Sequence, residues 1–155
     1  MQNEVAQEQG QRFVSREGWI PGPWDCEPDN LFLDEKPLPL LARRSLGGAW
    51  FGAVGVDPRF RVQAAALRTA LSTETRTLDL IEFPDTCPGK LDRNLVYLGY
   101  IYVSPDHLRP SEAHYLHDLP ADMRESYQPQ YITMRMALDN ARALAVTLAD
   151  LEMYA

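Results

Sequence analysis

Cysteine is scarce: the 155 residues hold only Cys26 and Cys87, too few for a disulfide framework and too far apart for a Cys-x-x-Cys metal or redox motif. Positive charge is in short supply as well, with 15 Lys and Arg against 22 Asp and Glu and a formal net charge of -7. That balance argues against direct nucleic-acid binding, which draws its affinity from clustered Lys and Arg on phosphates. No apolar run approaches the roughly 18 to 20 residues that cross a bilayer, so no membrane partner is expected. The opening Met1-Gln2-Asn3-Glu4-Val5 lacks the basic-then-apolar order of a signal peptide, and a cytoplasmic protein with reduced thiols is the reading that follows. There is no Walker loop, no G-x-G-x-x-G and no G-x-S-x-G, and no cofactor is expected.

What is present is ordinary globular material, 45% hydrophobic and 24% charged, read as one domain over residues 1–155 with residues 1–12 a frayed or helical tail. Phe13 and Val14 are the first candidates for burial. Leu38 to Arg44 and Ala49 to Val56 read as two strands joined by Ser45-Leu46-Gly47-Gly48, whose glycines suit a turn with positive φ. In the second strand Trp50, Gly52, Val54 and Val56 alternate with Phe51, Ala53 and Gly55, and neither set is polar, so this strand is expected at the centre of its sheet. Gly52 and Gly55 imply that a ring or a helix packs close on the backbone. Thr77 to Phe83 and Leu95 to Val103 are further strands, and Asn30 to Leu33 reads as a short one. Asp57-Pro58 opens a short helix to about residue 72. From Pro129 onward Met134, Ala137, Leu138, Ala141, Leu144, Ala145, Leu148 and Leu151 form one apolar stripe, a helix of about 24 residues and roughly 36 Å. The fold class is α+β: an antiparallel sheet of about four strands packed against a long C-terminal helix.

Before the strands lies a stiff stretch, Gly18-Trp19-Ile20-Pro21-Gly22-Pro23-Trp24-Asp25-Cys26-Glu27-Pro28-Asp29. Its prolines fix φ and extend the residues before them, so Trp19, Trp24, Asp25, Glu27 and Asp29 are held with little conformational entropy left to lose. Preorganised acids beside indole rings make a candidate binding surface. The plainer alternative lays the two Trp rings on the core and leaves the acids in solvent.

This stretch resembles a group of small, functionally uncharacterised proteins from phages and prophage-bearing bacteria with the signature G-W-x-x-G-P-W-x-x-E-P-D. The matching residues are Gly18, Trp19, Gly22, Pro23, Trp24, Glu27, Pro28 and Asp29, followed by Gly52, Val54, Gly55 and Val56 in the strand. A weaker match covers Phe83, Cys87, Pro88 and Gly89, where the group tends to carry a nearby His that this chain lacks. The resemblance implies a mobile-element origin and an α+β domain, and it names no reaction.

Two constellations have chemical potential. His114 and His117, three residues apart, would share a helix face, as imidazole ligands of zinc sometimes do, but no H-E-x-x-H or cysteine pair accompanies them and no metal is expected. A carboxylate pair drawn from Asp25, Glu27, Asp29 and Asp85 would suit a small hydrolase if a Trp ring desolvated one member. Cys87 as a nucleophile would need a base from far along the chain. The leading expectation is a non-enzymatic accessory protein of a phage or mobile element that binds a host protein with a basic surface and inhibits a host defence system. The hydrolase is the alternative.

Overall fold

Five strands form one antiparallel sheet in this computed structural model, which describes residues 10–150. They are β1 (Asn30–Leu33), β2 (Leu40–Arg44), β3 (Trp50–Val56), β4 (Arg76–Ile81) and β5 (Val96–Tyr102), in the order β1-β2-β3-β5-β4. The α+β class and the antiparallel sheet are as expected. The count is five instead of four, because Asn30–Leu33 pairs along the whole of its length with Leu40–Arg43. Residues 1–9 of the expected tail lie outside the described residues. Gln11 does not fray: its backbone pairs with Asn30 at the sheet edge.

β3 is central and every one of its residues is buried. Trp50, Val54 and Val56 join the larger core on one face, while Phe51 and Ala53 join Leu41 and Tyr97 on the other. The larger core is closed by the C-terminal helix. The helices are α1 (Arg61–Leu71), α2 (Tyr115–Asp118), α3 (Ala121–Ser126) and α4 (Met134–Asp150). α4 lies across β2, β3 and β5 and buries Ala137, Leu138, Ala141, Leu144, Ala145 and Leu148, the stripe that the 3.6-residue period marks. α1 packs on the edge strand β4 and follows a 3-10 turn, Pro58–Phe60, in which the Asp57 carboxylate accepts the Arg59 N–H at 3.0 Å.

α4 starts later than the helix expected from Pro129 onward, at Met134, the first residue of the apolar stripe. Pro129 is not in its first turn, because Gln130 pairs instead with the segment around His107: the Gln130 N–H donates to Asp106 O at 2.7 Å and Gln130 O accepts from Leu108 N at 2.8 Å. The Thr133 hydroxyl oxygen then accepts the Met136 N–H at 3.1 Å, an N-terminal cap that the sequence reading passed over. The helix is 17 residues long as far as Asp150, and the Leu151 expected on its stripe lies outside the described residues.

The close approach expected at Gly52 is to this helix. A Cβ on Gly52 would lie 2.5 Å from the Ala137 carbonyl oxygen, so the strand and helix backbones are nearly in contact. At Gly55 the neighbours are the side chains of Leu95 and Pro39. Gly52→Ala is expected to destabilise the fold by about 1–3 kcal/mol through overpacking, read as a lower urea midpoint. An unchanged midpoint would mean that α4 sits farther from β3. In the β2–β3 turn only Gly48 takes a positive φ, of 95°, and a Cβ there would meet the Pro110 ring at 2.7 Å. The turn therefore anchors the long excursion between β5 and α4.

The second face of the sheet is covered only in part. Phe83, Leu91 and Leu95, from the connection between β4 and β5, pack over Leu41, Phe51, Ala53 and Tyr97. Beyond them the face toward Ile101 and Val103 is open.

Candidate functional site

The stiff opening stretch is built around an arginine. Arg44 ends β2 opposite Trp50, and its side chain has no exposed surface. Its Nη1 donates to Gly48 O at 2.8 Å and to the Tyr131 hydroxyl at 3.1 Å, and its Nη2 reaches Glu27 Oε1 at 3.3 Å. The guanidinium carbon sits 4.2 Å from the Trp50 ring centre and 5.6 Å from that of Trp19. Arg44 Nε lies 3.2 Å from Asp29 Oδ1, close enough for an ion pair but out of line for a hydrogen bond.

Asp29 is fully buried and saturated. Its Oδ2 accepts the backbone N–H groups of Phe13 and Val14, each at 2.7 Å, and its Oδ1 accepts from Arg16 Nη2 at 2.8 Å. Burial alone would raise the carboxyl pKa, but the two backbone donors and Arg16 together outweigh it and hold Asp29 below its ordinary value. Near neutral pH it is therefore an anion with no proton to give, the reverse of what a general acid requires.

Glu27 does a different job with each oxygen. Oε1 accepts the Tyr131 hydroxyl proton, and Oε2 accepts the N–H of Met134, the first residue of α4, at 2.6 Å. A carboxylate at that position satisfies an orphan helix donor and meets the positive end of the helix dipole. The Tyr131 oxygen in turn accepts from Trp50 Nε1 at 3.1 Å as well as from Arg44. Burial first, and then the Glu27 carboxylate, push the Tyr131 hydroxyl pKa up to about 12. Opening segment, sheet and C-terminal helix are thus tied at one point.

The candidate binding residues separate on this geometry. Trp24 is buried, its Nε1 bonded to Ile20 O at 3.0 Å and its ring edge-on to Tyr131 at 5.2 Å, and any Cβ on Gly22 would collide with that ring. Trp19 is half-buried between Arg16 and Arg44. Of the acids only Asp25 faces solvent, where it accepts the Gly22 N–H at 3.0 Å and caps its own 3-10 turn, Pro23–Cys26. Trp24 and Asp29 present no usable surface to a partner, and Glu27 presents little, with 13% of its side chain exposed. Asp85 stands exposed in the loop after β4. Neither the solvated loop nor the acidic patch read from the sequence describes Glu27 and Asp29. Their partners Arg16, Arg44 and Tyr131 were missed. The available signal was a pair of arginines, Arg43 and Arg44, closing a strand otherwise made of Leu and Ala.

The Cys87 loop is held from two sides. Arg93 Nη1 donates to Pro84 O at 3.0 Å and lies 2.9 Å from Cys87 Sγ, while Arg43 Nη1 donates to Pro88 O at 2.6 Å and to Asn30 Oδ1 at 3.0 Å. The buried Asn30 also donates to Lys90 O at 2.9 Å, and Gly89, at φ 94°, leaves it room. This accounts for the Pro88-Gly89 pair as packing. Cys26 is exposed.

The histidines do not converge. His107 stands edge-on to the Tyr102 ring at 5.8 Å, and His114 stacks near Tyr115 at 4.0 Å and precedes α2. The His117 side chain lies outside the described ones. Among the described residues no group of three or more His, Cys, Asp or Glu is placed to hold a metal ion, and no helix is long and apolar enough to cross a membrane.

Two adjoining hollows open beside β5. One, of about 450 Å³, lies on the uncovered part of the second sheet face, with Phe51, Ile81, Phe83 and Ile101 as its apolar lining and Arg43 and Arg109 among its polar lining. The other, of about 480 Å³, is bounded by Ser104, His107, Tyr115 and Tyr127. Val103 and Arg109 line both. Three of the large apolar side chains that are exposed among the described residues line these hollows: Val103, Tyr115 and Tyr127. No family model, no curated protein and no solved structure matches the chain.

Proposed function

We propose that this protein acts by binding another protein, and that it does so through the surface formed by the two hollows around Val103 and Arg109. The observation that carries the reading is the clustering of exposed Val103, Tyr115 and Tyr127 at two concavities, where a monomer gains nothing from exposing them. The stiff opening supports the same reading in another way. Its Glu27, together with Tyr131, Arg44 and Trp50, ties β2, β3 and α4 together and so fixes the sheet on which the first hollow lies, which limits the entropy lost on association there. The resemblance to phage and prophage proteins points to a host protein as the partner and to inhibition of a host defence system as the purpose. The interface is placed at β5 and the excursion after it, away from the acids at 25–29.

Val103 is 46% exposed and belongs to neither buried core, so Val103→Lys is expected to leave the fold intact and puts a charge at the junction of the hollows. In capture from a bacterial host lysate, proteins retained by the native chain are expected to be lost with Val103→Lys and kept with Asp25→Asn. The reverse pattern, or equal capture by both variants, would overturn this placement.

A further inference from the structure

The hollow on the sheet face has a charge opposite to that of the molecule. The chain carries a formal -7, yet Arg43 and Arg109 line this hollow and, among the described residues, no Asp or Glu does. Arg44 also borders it, but its side chain is wholly buried and already neutralised by Glu27 and Asp29. Arg43 is not: among the described residues no carboxylate lies within ion-pair distance of it, and its guanidinium rests between the Phe13 and Phe83 rings at 4.6 and 5.1 Å. Arg109 is half-exposed, and among the described residues its one ion-pair partner is Glu112, at 4.0 Å. A cation kept half out of water with no anion beside it is where a docked carboxylate gains most, since the desolvation has already been met by the fold.

From this we infer that the hollow receives an acidic segment of a partner protein, one that places an apolar side chain between Phe51, Phe83 and Ile101 and its carboxylates against Arg43 and Arg109. The inference rests on the binding reading above and adds the chemistry of the partner. The apolar lining supplies contact area that a small anion alone would not use, and the flanking arginines set a preference that a neutral apolar patch would lack. The second hollow, sharing Val103 and Arg109, continues the surface past the first and accepts the rest of the segment along Tyr115 and Tyr127. The partner is then acidic where it touches this chain, the opposite of the basic partner that the overall charge implied.

The test is selection of peptides from a random library displayed on yeast against the intact, folded protein. The enriched sequences are expected to be net acidic with interspersed Leu, Ile, Phe or Tyr, to bind more weakly as salt is raised, and to lose roughly tenfold in affinity against Arg109→Glu. Arg109 is the variant of choice because its side chain is half-exposed and its ion-pair partner, Glu112, is exposed as well. A neutral or basic enriched pool, affinity unchanged in Arg109→Glu, or no enrichment at all would overturn the inference. The two readings fail separately. Basic peptides that compete with Val103→Lys-sensitive capture would sink the acidic partner and leave the interface standing, whereas insensitivity of every captured protein to Val103→Lys would sink the interface itself.

Discussion

Asp29→Asn is expected to lower the unfolding free energy by about 3–5 kcal/mol, a large share of the roughly 5–15 that a domain of this kind possesses. The substitution preserves shape, so the effect isolates charge and hydrogen bonding. Three donors bond to the Asp29 carboxylate, the N–H groups of Phe13 and Val14 and Arg16 Nη2, and Arg44 Nε pairs with it as a cation. An amide turns one acceptor into a further donor and removes one of the two anions paired with Arg44, whose side chain is wholly buried. The melting temperature should fall by roughly 10 °C. Acid titration provides a second readout. Because the folded-state pKa of Asp29 is lowered, its contribution is fully present above the unfolded-state value of about 3.9 and is lost as pH falls through the folded-state value. Stability of the native chain should therefore drop across that interval more steeply than stability of Asp29→Asn. Equal slopes, with an unchanged melting temperature, would show that the network does not form.

Leu148→Asp should abolish folding. Leu148 has no exposed surface and belongs to the core between α4 and the sheet. Removing the side chain down to Cβ would by itself cost about 2–5 kcal/mol, and a carboxylate buried there without a partner adds several more. Leu138→Asp, at 5% exposure on the same stripe, should behave likewise. The matched control is Val146→Asp. It lies on the same helix two residues away with 53% exposure, and it should move stability by no more than about 0.5 kcal/mol. Circular dichroism and thermal melting of the two variants separate the cases. A native melting temperature in Leu148→Asp would mean that α4 does not pack on this sheet.

The two predictions lie on opposite sides of what the chain reveals in one dimension. The α4 stripe repeats every three to four residues and β3 alternates with period two, and in both a residue's fate is set by neighbours a few positions away. That is why Leu138, Leu148, Trp50 and Val54 are recognisable as core without coordinates, and why Gly52 is recognisable as a close contact. The start of α4 was displaced because a strand-like pairing of Gln130 with His107 competed with the helix, and that competition depends on a segment more than twenty residues away.

Local pattern determined the strands, the long helix and the antiparallel α+β class of this protein. Only the tertiary structure decided the state of its charges. Glu27 finds Tyr131 and Met134 at separations of 104 and 107 residues, and Arg44 finds Tyr131 at 87. An aspartate in a proline-rich loop reads as solvated because burying it unpaired is prohibitive, and the arginines and backbone donors that remove the penalty are assembled only by the fold. The open arginine-lined hollow is equally a product of assembly. β2, β3, β4 with the loop after it, and β5 with the excursion after it all contribute residues, and no single stretch of the sequence contains it.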